Sequence, residues 1–138
     1  MDTYSITTKH KGNMAFEAEI GHHKIVMDTM PAGGGEDSGP PPKKLLLGTL
    51  ATCTGMDVVS LLQKMRVNFS DFDMVTNAVL SEEHPKVFTH IEVVYRIKVE
   101  ERHREKVEKA VALSQERYCG ISAMLRKNSP LDFRIEYL

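Results

Sequence analysis

Hydrophobic and polar residues alternate along residues 3–29, which is the spacing of a β-strand. Because successive strand side chains point to opposite faces, every second residue shares a face, and the apolar set here is Met14, Phe16, Ala18 and Ile20. Turn-like breaks at residues 11–13 and 21–23 divide the segment. The pattern predicts a meander of three short antiparallel strands over residues 3–29.

A segment rich in glycine and proline follows at residues 31–42. It contains four glycines and four prolines, and such a composition continues neither a strand nor a helix. Its run of three glycines is superficially similar to a phosphate cradle, but no Lys-Ser/Thr pair ends the run, and Glu36 and Asp37 would repel phosphate. We therefore predict a mobile loop.

The most apolar part of the chain has helical spacing, so we predict a central helix over residues 43–66, entered through prolines. At about 100° per residue its residues fall on two sides. One side holds Gly48, Ala51, Gly55, Val58 and Leu62, and the other holds Leu46, Leu50, Cys53, Met56, Asp57 and Ser60. A helix that is apolar nearly all round needs burial from every direction, which one meander and one hairpin hardly supply. We therefore predict a homodimer whose central helices shield one another.

The rest of the chain changes period twice. Residues 69–81 and 86–99 are predicted to be two strands of a hairpin, and strict alternation in the second strand predicts one buried and one solvated face. The spacing of residues 100–118 is helical, Cys119 and Gly120 interrupt it, and a short helix and a final alternating strand follow. The C-terminal helices and strand together cover residues 100–137. The chain is predicted to be a single α+β domain over residues 1–138.

Composition and charge limit the classes of partner that the protein is expected to bind. The chain has 18 basic and 19 acidic side chains and lacks a Lys/Arg tract of five or more, which argues against nucleic acid or an anionic membrane surface. The longest stretch without an ionisable charge, residues 45–56, is 12 residues, whereas a helix needs about 20 to span a bilayer. We expect no membrane span. Because the N-terminus also lacks the layout of a secretory signal, we expect a cytoplasmic protein.

The two cysteines are the main candidates for chemistry. Cys53 and Cys119 lie 66 positions apart, which excludes CxxC redox and structural zinc spacings. Cys53 lies on the wetter flank of the central helix and is either a core residue or the floor of a pocket. That flank also holds Thr49, Asp57, Ser60 and Lys64.

Cys119 lies where two predicted helices meet. The amides of the second helix would point at its sulfur and favour an anion there, and Arg117 and Arg126 are near in sequence. The alternative is a junction residue chosen for its small size. The six histidines are dispersed, and His22 and His23 would point to opposite faces of a strand, so we expect no metal site and no cofactor.

The order of these elements, together with two sequence strings, resembles the OsmC/Ohr family of osmotically induced and organic-hydroperoxide-resistance proteins. The strings are GGGEDSGPPPKKLLLGTLATCTGMDVVSLLQKM and SQERYCGISAML. The resemblance covers essentially the whole chain and is closest to the OsmC-like branch. It implies antiparallel sheets wrapped around long central helices in an intertwined homodimer, with active sites that draw on both subunits.

The resemblance also implies a thiol-dependent peroxidase that reduces organic hydroperoxides. Cys53 matches the peroxidatic position, whose thiol attacks the peroxide oxygen and becomes a sulfenic acid. Cys119 matches the resolving position, which forms a disulfide with it. An external dithiol would then reduce the pair.

The sequence departs from the family pattern at two places. Members usually place a Glu one or two residues after the proline that opens the long helix, where this chain has Lys43 and Lys44. They also use an Arg from the N-terminal meander, whereas the first Arg here is Arg66. Lys11 or Lys43 could supply the positive charge instead.

These departures support an alternative hypothesis of a different class. The protein would be a non-catalytic dimer that binds a small apolar or thiol-containing molecule near Cys53. Methionines adapt to varied ligands, and Met56, Met65 and Met124 would line such a pocket.

Overall fold

In the computed structural model, which describes residues 1–138, the chain forms two compact units, Met1–Leu46 and Leu47–Leu138. The secondary structure is mixed α+β, as the sequence predicts. In chain order the elements are β1 (Thr7–His10), β2 (Phe16–Ile20), β3 (His23–Met27), α1 (Pro42–Lys64), β4 (Ser70–Leu80), β5 (Phe88–Lys98), α2 (Arg104–Leu113), a π-helical turn (Ser114–Tyr118), α3 (Gly120–Arg126) and β6 (Leu131–Tyr137).

The first unit contains the predicted meander. β1, β2 and β3 pair antiparallel in that order. On the apolar face that the alternation predicts, Ala18 is buried at 3% exposure, whereas Phe16 and Ile20 stay about two-fifths exposed. The prediction of three short strands is therefore confirmed.

A single carboxylate organises the glycine- and proline-rich segment of this unit. Asp28 accepts hydrogen bonds from the Ser38 hydroxyl at 2.6 Å and from the backbone N–H groups of Ser38, Thr29 and Glu36 at 2.7–3.2 Å. These bonds, led by the one from the Ser38 hydroxyl, lower the pKa of Asp28 to about 2. The segment is thus a loop, as predicted, but one that is held in place rather than mobile.

Glycine is required at two points of this loop because the backbone approaches itself closely. A Cβ on Gly35 would lie 2.1 Å from the carbonyl oxygen of Thr29, and one on Gly39 would lie 2.2 Å from that of Val26. Both distances are far below any van der Waals contact. The glycines therefore reflect close packing against residues 26–29, not freedom of the chain.

The second unit is built on a three-stranded sheet of order β4-β5-β6. β4 and β5 form the predicted antiparallel hairpin. β6 runs parallel to β5, which the sequence alternation did not indicate. A parallel neighbour needs a long crossover, and α2, the π-helical turn and α3 provide it. The inward-facing residues of β5 are fully buried: Ile91, Val93, Tyr95 and Ile97.

Helix α1 agrees with the predicted residues 43–66 to within two residues at each end. Its fully buried residues in the second unit recur every fourth position: Leu50, Thr54, Val58 and Leu62. They pack in one core with α2, where Val107, Ala110 and Val111 form the predicted buried stripe. The prediction that Leu50 lies on the opposite side of α1 from Val58 and Leu62 was wrong, because all three are buried on one stripe. The stripe continues through the polar Thr54, which a pattern of apolar residues omits.

Two large apolar side chains of α1 remain exposed outside this stripe, Leu46 at 37% and Met56 at 68% exposure. An 18-residue window of α1 has a mean hydropathy of 1.7, so by length and composition alone the helix could cross a membrane. The expectation that the chain has no membrane span was based only on the length of the stretch without ionisable residues. One such helix is weak support for a span, since core helices of soluble proteins share these properties. The homodimer that would cover this surface stays a prediction.

Candidate functional site

The fold brings the two cysteines together. Cys53 lies on α1, Cys119 precedes α3, and their thiols share a hydrogen bond. Both cysteines are free thiols. Cys119 is only 2% exposed, whereas Cys53 is half-buried. The pair therefore combines one partly exposed cysteine with one that the protein encloses.

The π-helical turn positions Cys119. The amide of Cys119 donates to the carbonyl of Ser114 at 2.8 Å, a bond that reaches back five residues instead of four. Cys119 then takes an extended conformation and caps α3, with its Sγ accepting the Ser122 N–H at 3.4 Å. The predicted break is confirmed at Cys119, whereas Gly120 is already the first residue of α3. The wide turn before it was not predicted, because five residues are too few to show a period.

The surroundings of Cys53 disfavour its thiolate. Burial and the hydrogen bond with Cys119 raise the pKa of Cys53, and the nearby charge of Asp57 acts in the same direction. The backbone N–H of Ile121 donates to the Cys53 sulfur and opposes this shift. None of these groups is a cation. The net pKa of Cys53 is raised above that of an ordinary cysteine.

The arginines that the sequence placed near Cys119 are engaged elsewhere. The Arg126 guanidinium donates to the backbone carbonyl and to the side-chain oxygen of Gln115, both at 2.9 Å. Arg117 lies 5.8 Å from the centre of the Tyr118 ring. Neither guanidinium has a hydrogen bond to a cysteine sulfur.

The raised pKa of Cys53 predicts how its alkylation depends on pH. Only the thiolate reacts, so the rate should rise with pH along a curve displaced to the alkaline side of an ordinary cysteine. Asp57→Asn keeps a hydrogen-bond acceptor for Ser114 but removes the negative charge, so the curve should move to lower pH. Iodoacetamide labelling, followed by mass spectrometry of the Cys53 peptide, measures this. Asp132→Asn, an exposed acid on β6, is the control, and an equal shift in both variants would contradict the electrostatic explanation.

A buried chain of hydrogen bonds ends at Asp57. Its members, referred to as the polar chain, are Arg126, Gln115, Tyr95, Thr54, Ser114 and Asp57. The Thr54 hydroxyl lies 2.5 Å from the Tyr95 hydroxyl and 2.6 Å from that of Ser114, and Ser114 donates to Asp57 Oδ2 at 2.9 Å. The chain therefore links α1, β5, the π-helical turn and α3 around the two cysteines.

The direction of donation along the polar chain follows from its ends. The Gln115 amide nitrogen can only donate, and it donates to the Tyr95 hydroxyl at 2.6 Å. The Tyr95 proton must then go to Thr54, the Thr54 proton to Ser114, and the Ser114 proton to Asp57. Burial raises the pKa of Tyr95, which keeps this hydroxyl protonated as a donor. All donors thus point from the guanidinium of Arg126 toward the carboxylate of Asp57.

A polar recess lies between the second half of α1 and Tyr118, the residue before Cys119. It has a volume of about 340 Å³ and is lined by Asp57, Ser60, Leu61, Lys64 and Tyr118. Three of these residues belong to the wetter flank that the sequence predicted around Cys53. Tyr118 was not predicted, since it comes from the turn that precedes Cys119. A carboxylate and an ammonium group thus line the same small space.

The methionine-lined pocket does not form as predicted. Met56 lines an apolar groove of about 480 Å³ with Phe72 and Met74, whereas Met65 packs against the core and Met124 is 61% exposed. The prediction failed because helix periodicity does not reveal which faces of separate elements meet. No three His, Cys, Asp or Glu side chains are grouped to hold a metal ion.

Comparison with known proteins shows the family. The family described as OsmC-like protein matches residues 34–134, and the chain belongs to that family. It is 35% identical to protein YhfA of Escherichia coli over 105 residues, which cover 76% of this chain and 75% of YhfA.

Solved structures share the fold. A hypothetical protein from Aquifex aeolicus has a TM-score of 0.82 and 27% identity, covering 100% of this chain and 99% of that one. An organic hydroperoxide resistance protein OsmC from Legionella pneumophila has a TM-score of 0.68 and 20% identity, and the match covers 99% of both chains. The resemblance found in the sequence is therefore confirmed at the level of family and fold.

Proposed function

We propose that this protein is a thiol-dependent peroxidase that reduces organic hydroperoxides through Cys53 and Cys119. The observation that carries the proposal is the interaction between the thiols of a partly exposed cysteine and an enclosed one. A reactive cysteine needs access to its substrate, and a resolving cysteine needs access only to its partner. Membership of the OsmC-like family and the name of the Legionella pneumophila protein support the same substrate class.

The catalytic cycle has three steps. The Cys53 thiolate attacks one peroxide oxygen, the O–O bond breaks, and the leaving alkoxide takes a proton to become an alcohol, which leaves Cys53 as a sulfenic acid. The Cys119 thiolate then attacks the Cys53 sulfur, the S–O bond breaks, and the leaving hydroxide takes a proton to become water, so a disulfide forms. An external dithiol supplies two electrons and two protons and restores both thiols.

The fold supplies hydrogen-bond donors to both sulfurs, but the positive charge that would stabilise the Cys53 thiolate is missing. The N–H groups of Ile121 and Ser122 donate to the two sulfurs and stabilise negative charge on them. None of the groups that shift the pKa of Cys53 is a cation. We predict that Lys11 or Lys43 provides this positive charge. The homodimer and the cytoplasmic location also stay predictions.

The test counts thiols and peroxide together. The reduced protein is mixed with tert-butyl hydroperoxide, free thiols are titrated with a chromogenic disulfide, and residual peroxide is assayed. Both thiols of the chain should disappear while about one equivalent of hydroperoxide is consumed per chain. If both thiols remain and the peroxide persists, the peroxidase assignment fails.

A second candidate function is favoured by the raised pKa of Cys53 and by the apolar groove beside it on α1. The protein would then be a non-catalytic dimer that binds a small apolar or thiol-containing ligand near Cys53. The same thiol count separates the two candidates, because a binding protein keeps its thiols. A Cys53 pKa well below that of an ordinary cysteine would exclude this candidate.

A further inference from the structure

We propose that the hydroxyl of Ser122 is a catalytic hydrogen-bond donor, which stabilises the Cys119 thiolate while Cys119 attacks the Cys53 sulfenic acid. The inference rests on the proposed function, since it concerns the step that forms the disulfide. It gives a role in that step to a residue outside the cysteine pair. The backbone N–H of the same residue already donates to the Cys119 sulfur at 3.4 Å.

The side chain of Ser122 is fully enclosed, and its hydroxyl has no partner. Ser122 is 0% exposed, and its Oγ atom makes no hydrogen bond in the reduced protein. Most buried side-chain polar atoms do have a partner, because an unpaired one gives up its bonds to water without compensation. An exception beside a reacting sulfur indicates a partner that becomes available only during the reaction.

The position of Ser122 on α3 directs its side chain toward Cys119. Cys119 caps α3, and Ser122 is the third residue of the helix. The Cα–Cβ bond of a helical residue tilts toward the N-terminus of its helix, which for Ser122 is the end at Cys119. Rotation about this bond moves the hydroxyl among three staggered positions without moving the backbone. The hydroxyl can therefore turn toward the sulfur when the sulfur becomes a better acceptor.

The charge on Cys119 decides when the hydroxyl is engaged. A thiol is a weak hydrogen-bond acceptor, whereas hydrogen bonds to a charged acceptor are about twice as strong as neutral ones. The Ser122 hydroxyl is unpaired in the reduced protein and gains a strong acceptor once Cys119 loses its proton. Only an interaction that is stronger in the transition state than before it accelerates a step. A donor that is unpaired in the ground state meets this condition.

Other means of stabilising a thiolate at Cys119 are few. Cys119 is 2% exposed, so water contributes little to its solvation. The arginines near it in sequence make no hydrogen bond to its sulfur, and Arg126 is engaged with Gln115. Neutral donors must therefore stabilise the charge, and Ser122 offers two of them on one residue.

Ser122 keeps its own proton throughout the step. Cys119 loses its proton, its sulfur bonds to the Cys53 sulfur, and the S–O bond of the sulfenic acid breaks. The leaving hydroxide takes up a proton, so the products are the disulfide and water. The sulfenic acid is reduced and the Cys119 thiol is oxidised, so the step needs no further oxidant or reductant.

The experiment compares Ser122→Ala with the wild type during a single turnover. Reduced protein is mixed with tert-butyl hydroperoxide, and samples are quenched at successive times in denaturant with dimedone and iodoacetamide. Mass spectrometry then counts the reduced, sulfenic and disulfide forms. The rate of sulfenic acid formation rises with the hydroperoxide concentration, whereas that of disulfide formation does not, so varying the concentration separates the two rate constants.

The chain offers a matched control in Ser129→Ala. Ser129 is 3% exposed, and its hydroxyl likewise has no partner. It follows the C-terminal end of α3, whereas Cys119 caps the other end. The control therefore removes the same kind of buried, unpaired hydroxyl at the end of the helix away from the reacting sulfur.

We expect Ser122→Ala to slow disulfide formation by about tenfold, because a hydrogen bond to a charged group is lost. Sulfenic acid formation at Cys53 should keep the wild-type rate. The longer-lived sulfenic acid should also be oxidised further to sulfinic acid more often in excess hydroperoxide. Ser129→Ala should change neither rate constant. Because both hydroxyls are unpaired, the two variants should have equal midpoints of urea unfolding in the reduced state.

The outcomes separate this inference from the function on which it rests. If the wild type forms neither sulfenic acid nor disulfide, the peroxidase proposal itself fails. If the wild type forms the disulfide and Ser122→Ala forms it equally fast, the hydroxyl is not a donor in this step. Equal slowing in Ser129→Ala also overturns the inference. So does a Ser122→Ala protein that fails to fold or unfolds at lower urea than Ser129→Ala, because its hydroxyl would then be engaged in the reduced protein.

Discussion

Cys53→Ser is expected to abolish hydroperoxide turnover, reducing it to the rate of the peroxide with the thiol reductant alone. The serine hydroxyl is not ionised at neutral pH and cannot form the sulfur–oxygen species on which the cycle depends. The measurement is peroxide consumption under steady-state conditions, with excess reductant. Because the side chain loses one polarisable atom at a half-buried position, the fold should persist.

Cys119→Ser is the matched variant, since it makes the same change on the other member of the pair. It should react with one equivalent of hydroperoxide and stop at the Cys53 sulfenic acid, which dimedone traps with a mass increment on the Cys53 peptide. Rapid turnover in Cys53→Ser, or trapping on Cys119 in the wild type, would reverse the assigned roles.

Thr54→Val is expected to destabilise the reduced protein by about 2 kcal/mol. The substitution keeps the shape of the side chain but removes the central hydroxyl of the polar chain, so Tyr95 loses its acceptor and Ser114 loses its donor inside the core. A buried group left without its partner costs about 1–3 kcal/mol. Urea unfolding of the reduced protein, followed by circular dichroism, measures the free energy of unfolding.

The control for this variant is two residues away on the same helix. Thr52 is exposed, and its hydroxyl donates only to the carbonyl of Gly48. Thr52→Val should change the free energy of unfolding by no more than about 0.5 kcal/mol, as is usual for exposed positions. Equal losses in the two variants would mean that the polar chain contributes no stability of its own.

The sequence predicted most elements because their hydrophobic periods are long and regular. β5 is the clearest case, with Ile91, Val93 and Tyr95 buried as the alternation requires. The direction of β6 could not be predicted, since alternation is the same in parallel and antiparallel strands. The buried stripe of α1 was misplaced for another reason: the pattern counted apolar residues, and Thr54 is buried through its hydrogen bonds.

The candidate site was predicted in part. The helix wheel grouped Asp57, Ser60 and Lys64 on the flank of Cys53, and these residues do line one recess. The pairing of Cys53 with Cys119 came only from the family resemblance, because no spacing rule connects residues on separate elements. The polar chain was missed although a signal existed: Thr54 and Ser114 are polar residues at helix positions where the neighbouring residues of the stripe are apolar.

The carboxylate that holds the glycine- and proline-rich segment has a consequence for behaviour in acid. Because the pKa of Asp28 is about 2 in the folded chain and 3.8 ordinarily, its stabilising bonds are fully present above pH 3.8 and disappear only as the pH falls through about 2. Typical glutamates already take up protons near pH 4. In a mildly acidified medium, the glycine- and proline-rich segment that precedes α1 should therefore keep its shape while exposed carboxyl groups elsewhere on the surface are neutralised.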